Sequence, residues 1–136
     1  MQPKKHLDKS LIKTSALPSI VTFFKLLSSG KTDTAVSQLL SSNENISIED
    51  SATINIKDKL RLISSSSGRF IDYKLLREKA VDDCIEMYSY IARYEKKYYR
   101  FIFEFYNNGE SVKIYKFLFD ENIDYELEES LKFYAN

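Results

Sequence analysis

The chain has 136 residues, with twenty basic and twenty acidic side chains, one cysteine, one histidine and no tryptophan. That length suits a single domain with a real core, and zero net charge removes the whole-domain electrostatic case for nucleic acid. One Cys and one His exclude an intrachain disulfide and argue against cysteine-based or His-rich metal clusters.

Residues 1–14 read as a flexible basic arm carrying Lys4, Lys5, Lys9 and Lys13. The arm lacks the apolar segment of a signal peptide, and no run in the chain is long enough to span a membrane. The expected location is cytoplasmic for the chain as it stands, or exported if a leader has been removed. Ser15 is placed to N-cap a first helix, with Pro18 in its first turn, where a missing N–H does no harm. Leu17, Ile20, Val21, Phe24 and Leu27 give that helix an apolar stripe, and Gly30 suits its C-cap. Thr32 or Asp33 starts a shorter helix with Val36, Leu39 and Leu40, and Ile46 and Ile48 read as a short extended piece. Asn55 can cap a third helix in which Ile56, Leu60 and Ile63 share a face; Ser64–Ser67 weaken it and Gly68 ends it.

From Phe70 the period changes from 3.6 to 2. Phe70–Lys79, Asp83–Tyr94, Tyr98–Tyr106 and Ser111–Phe119 read as strands rich in Tyr, Phe and Ile. Asn108-Gly109 signals a tight hairpin. With those residues as the turn, Phe105 faces Val112, Glu104 faces Lys113, Phe103 faces Ile114 and Arg100 faces Phe117. One face then carries Tyr99, Phe101, Phe103, Phe105, Val112, Ile114 and Leu118, interrupted by Lys116, and is expected to be the core. The other mixes Tyr98, Arg100, Ile102, Glu104 and Tyr106 with Lys113, Tyr115, Phe117 and Phe119. After Asp120, Ile123, Leu127, Leu131 and Tyr134 permit an acidic amphipathic helix, with a frayed tail as the alternative.

Few residues offer chemistry. His6 lies in the arm, away from any partner for a triad, and glycines at 30, 68 and 109 cannot form a phosphate loop. Cys84 reads as a small buried hydrophobe. Asp82-Asp83 and the acidic tail read as a turn and a solvated segment, so no catalytic residue, metal ligand or cofactor is assigned. The tyrosines remain. A two-residue turn near Lys96 puts Tyr88, Tyr90 and Tyr94 on the core face beside Tyr99; a three-residue turn puts them on the mixed face, and both stay open. Inward tyrosines make Tyr88, Tyr90, Tyr99 and Lys116 candidates for a small apolar-ligand pocket. The mixed face nominates Arg100, Ile102, Glu104, Lys113, Tyr115 and Phe117 for a homodimer interface.

The stretch YSYIARYEKKYYRFIFEFYNNGESVKIYKFLFD, Tyr88–Asp120, follows helix, short helix, helix and Gly. This arrangement resembles the nuclear transport factor 2-like (cystatin-like α+β cone) superfamily, over roughly residues 15–120, and looks like its uncharacterised bacterial members. The resemblance implies a curved four-stranded antiparallel sheet wrapped on N-terminal helices, with dimers through the outer side of the sheet. Enzymes of that superfamily place an acidic residue or His in the cone; the assigned core face of the last two strands offers neither.

The expected architecture is α+β: an arm over 1–14, one domain over 15–120 and an acidic helix or tail over 121–136. The expected function is a non-catalytic small-ligand-binding or protein-interaction module, homodimeric through the sheet. The alternative is a cofactor-free isomerase, dehydratase or cyclase, with a Tyr hydroxyl as acid and Asp72, Glu78 or Glu86 as the carboxylate.

Overall fold

The computed structural model describes residues 3–47 and 49–124, with backbone alone for 3–12 and 14. It is an α+β fold in which α1 (Pro3–Ser28), α2 (Thr32–Leu40) and α3 (Ser51–Ser67) pack against an antiparallel sheet. The strands are β1 (Phe70–Val81), β2 (Ile85–Tyr94), β3 (Tyr98–Asn107) and β4 (Val112–Asp120), in the order β1-β2-β3-β4. Each strand pairs with its sequence neighbour, so every connection is a short hairpin.

The helices differ from expectation at their starts. α1 begins at Pro3, so the helix runs through the segment read as an arm, and Pro18 is interior to it. Pro18 therefore leaves the Thr14 carbonyl without its helical donor. The buried face of α1 is Ala16, Ile20, Phe23, Phe24 and Leu27, whereas Leu17 and Val21 are exposed. α3 begins at Ser51, where the Asp50 carboxylate accepts a hydrogen bond from the Ala52 N–H. Asp50 is the cap, and Asn55 lies inside the helix. Ile46 sits in a bend and packs on the core rather than in a strand, and Ile48 falls outside the described residues. So do Leu127, Leu131 and Tyr134 of the acidic C-terminal segment.

Phe23 and Phe24 centre the core. Phe23 meets Phe103 and Phe117 edge-on, with centroids 5.4 and 5.1 Å away. Phe24 stacks on Tyr73 at 3.9 Å and meets Tyr90 edge-on at 5.6 Å. Each such geometry adds about 0.5–1.5 kcal/mol beyond area burial. The tyrosine question is settled by the β2–β3 turn: the Tyr94 N–H donates to the Lys97 carbonyl at 2.8 Å, leaving two residues in the turn. Tyr88, Tyr90, Ala92 and Tyr94 therefore face the helices and are buried.

The last hairpin corrects the expected register. Asn107 pairs with Val112 and Phe105 with Ile114, so the loop is longer than the Asn108-Gly109 pair alone. The Asn108 carboxamide oxygen closes it, accepting from the Glu110 and Ser111 N–H groups. A bulge at Tyr115 then shifts the pairing: Glu104 faces Lys116, Phe103 faces Phe117, Ile102 faces Leu118 and Arg100 faces Asp120. Side-chain parity reverses there. Phe117 and Phe119 turn onto the core, while Lys116 and Leu118 turn out. The edge of β4 beside the bulge is occupied: the Ile114 N–H donates to Ser42 Oγ at 3.0 Å, and Asn43 Nδ2 donates to the Ile114 carbonyl at 2.9 Å.

Phe103→Ala and Phe117→Ala should each cost about 3–5 kcal/mol, as large buried aromatic truncations do. Leu118→Ala should stay within about 0.5 kcal/mol in denaturant melts dilute enough to keep protomers apart. The reverse ranking of Phe117 and Leu118 would restore the tight-turn register. Gly68 closes α3 with φ +87° and ψ −161°, a conformation essentially reserved for Gly, and an added Cβ would lie 2.6 Å from Glu95 Oε1. Gly68→Ala should cost about 1–3 kcal/mol by the same melts; an unchanged midpoint would contradict that geometry.

Candidate functional site

Tyr88, Tyr90 and Tyr99 are buried on the inner face, but they do not converge on a shared space. Tyr88 donates its hydroxyl to Glu86, Tyr90 packs against Phe24 and Tyr73, and Tyr99 shares a 2.6 Å hydrogen bond with Ser67 Oγ. Lys116 belongs to the opposite face, displaced by the bulge. The three tyrosines belong to the core cluster with the aromatic rings of α1 and the sheet, and of the four candidates only Tyr99 borders a described cleft.

Of the three carboxylates considered for the enzyme alternative, Glu86 is the one buried beside a tyrosine hydroxyl. Glu86 is only 4% exposed and accepts the hydroxyl hydrogen bond of Tyr88, itself 1% exposed. Glu78 lies directly across β1 from Tyr88 and forms a 2.8 Å ion pair with Lys13 of α1. The hydrogen bond and charge of Glu78 hold the Lys13 ammonium above its ordinary value. The signal was available: residues i and i+2 of a strand share a face, so inward tyrosines on β2 carry Glu86 inward with them. The arrangement matches a carboxylate beside a Tyr hydroxyl, but none of the described clefts reaches it.

The outer face is two-toned. Toward one end, Asp72 and Arg93 form a two-bond ion pair at 2.6 and 2.7 Å, and Arg100 and Asp120 form another at 3.0 and 2.7 Å. Both pairs are cross-strand neighbours. Toward the other end, half-buried Met87 and Ile102 adjoin Tyr106, Tyr115 and Leu118, which are 42%, 53% and 53% exposed, while half-buried Ile91 lies opposite Arg100. The Tyr106 and Tyr115 rings meet at 6.0 Å. Of the dimer candidates, Arg100, Ile102, Glu104 and Tyr115 lie on this outer side. Phe117 does not; it is core. Lys113 is held at 2.9 Å by Glu44 rather than by Glu104.

Cys84 is exposed in the β1–β2 turn, where Asp82 has a φ of 45°, so the buried-hydrophobe reading is corrected. Among the described residues, no group of three or more His, Cys, Asp or Glu is placed to hold a metal ion. None of their helices is long and apolar enough to cross a membrane.

Burial pushes three phenols up. Tyr88 rises well above the usual Tyr value through desolvation and then its bond to Glu86. Tyr94 rises through desolvation and Tyr99, and Tyr90 is pushed up to about 12 by burial, then by Tyr73 and Glu78. A phenol that holds its proton more tightly folded than unfolded stabilises the fold fully below the unfolded value of 10.0, and that stability is lost as pH climbs through the folded one. Part of the tyrosinate absorbance of the ten tyrosines should therefore appear only together with loss of near-ultraviolet dichroism in strong alkali. All ten titrating reversibly near their ordinary value, with the dichroism intact, would contradict this burial.

No family model, curated protein or solved structure matches this chain.

Proposed function

We propose that the protein is a non-catalytic interaction module that pairs with a second copy of itself through the outer face of the sheet. The observation that carries this reading is the patch of Met87, Ile102, Tyr106, Tyr115 and Leu118, half-buried or exposed on the side of the sheet away from the helices. Monomers seldom leave contiguous apolar surface beyond a few hundred Å² in water. Aromatics with an embedded Arg are enriched at interfaces, and here Arg100 is already neutralised by Asp120. Burying this face would therefore not strand that charge. The sequence resemblance to the nuclear transport factor 2-like superfamily is consistent with pairing through this side.

A second reading, a cofactor-free enzyme of the isomerase, dehydratase or cyclase type, has one observation in its favour: Glu86 buried against the Tyr88 hydroxyl. General acid–base work needs substrate within hydrogen-bond reach of that pair, and closely packed rings occupy the space beside it: Phe105 lies 6.4 Å from Tyr88, centroid to centroid. The interaction reading is the better supported.

Size-exclusion chromatography with light scattering should give a dimer for the full chain and for a chain ending at Asp124. Leu118→Glu, at an exposed position, should dissociate both without loss of helical dichroism. A full chain that is monomeric at high micromolar concentration, and aggregates only after shortening, would instead assign the patch to residues 125–136.

A further inference from the structure

We propose that the cleft between α3 and the adjoining ends of β3 and β4 binds an amphipathic monoanion, an apolar tail carrying a single carboxylate. The cleft is open to solvent and has a volume of about 530 Å³, within the ~300–1,000 Å³ of small-molecule sites. Leu62, Ile63, Tyr99 and Phe119 supply an apolar lining, and Lys59 and Lys97 stand beside it. Leu62 is the telling residue. It is 67% exposed on α3, with Lys59, Arg61, Ser65 and Ser66 nearby in sequence, and its side chain borders this space. Phe119 reaches the cleft because the Tyr115 bulge turned it inward. Tyr99 is held by its hydroxyl to Ser67, so its ring is a fixed wall.

The charges select the headgroup. Asp120 and Glu121 also border the cleft, yet each has a partner: Arg100 binds Asp120 at 2.7 Å and Lys97 binds Glu121 at 3.0 Å. Lys97 lies 5.6 Å from the centre of the Tyr99 ring. Lys59 has no acidic partner among the described residues, which leaves one cation for one anionic ligand group. A single unpaired cation matches the one charge of a carboxylate better than the two of a phosphate. The cleft between α1 and α2, about 280 Å³, is bordered by Ser, Thr and Gln and offers no such cation.

Titration calorimetry of the full chain with decanoate below its micelle-forming concentration tests the assignment, with decanol and decylamine as headgroup controls. Saturable binding with one site per chain is expected for decanoate. Lys59→Glu and Leu62→Glu, both at exposed positions and checked for folding by dichroism, should each weaken it about tenfold or more. Several outcomes overturn the proposal: no saturable decanoate binding, equal affinity for all three headgroups, preference for the amine, or indifference to both substitutions. Binding that appears only once the chain is shortened to Asp124 also overturns it, because the occupant is then residues 125–136.

Discussion

The bulge at Tyr115 is the constraint on which both faces of the sheet depend. One unpaired residue in β4 reverses which side chains point inward for the rest of the strand. Without it, Phe117 and Phe119 would stand in water, and Lys116 and Leu118 would point at the helices. With it, Phe117 reaches Phe23 at 5.1 Å, and Phe119 adjoins Phe101 at 5.7 Å. The same reversal sends Leu118 outward next to Ile102, enlarging the apolar patch, and places Asp120 opposite Arg100. Core, patch and cleft thus share one cause. The contacts beside the bulge fit this role: Ser42 and Asn43 bind the backbone of Ile114, and Glu44 binds Lys113, so the loop after α2 clasps the strand just before its parity changes.

Much of this was legible in the residues. The strands follow from the period-2 aromatic runs, and their order follows from short turns that permit only hairpins. The bulge left a trace: under the tight-turn register the core face was interrupted by Lys116, while Phe117 and Phe119 sat on the mixed face. A charged residue at a core position with aromatics flanking it at i±1 is what a parity change looks like before it is located. The sequence could not place it, because the partners of the backbone beside it, Ser42 and Asn43, lie some seventy residues earlier.

The helix boundaries failed for local reasons. Asp50 and Asn55 are both good caps, and Ser51–Ile54 contains Ser, Thr and Ile, all weaker helix formers than Ala or Leu. The earlier start is favoured by the Asp50 cap and by the buried Thr53, whose hydroxyl donates to the Ser47 carbonyl at 2.9 Å. In α1 the expected stripe shares Ile20, Phe24 and Leu27 with the buried face, where Ala16 and Phe23 take the places expected of Leu17 and Val21. Leu17 and Val21 are as apolar as Ile20, but the phenyl ring of Phe23 decides the rotation, because it buries more area than either aliphatic alternative. Pro18 supported a helix start and proved compatible with a helix interior, where its position is exposed.

The site was less legible than the fold, and the reason bears on function. Inward tyrosines suggest a hollow only if nothing fills the space between them, and sequence does not report volume. Here Phe24 packs on Tyr90, Phe105 on Tyr88 and Tyr94 on Tyr99, and three of the inward phenols differ in what their hydroxyls find. Tyr88 finds Glu86, Tyr99 finds Ser67, and the Tyr94 hydroxyl has no hydrogen-bond partner among the described residues. A buried carboxylate bound by a buried phenol is costly unless both are satisfied. Here the two groups satisfy each other within β2, two residues apart on one face of the strand. The apolar surface on which the two proposals rest lies elsewhere, on the outer face of the sheet and in the α3 cleft.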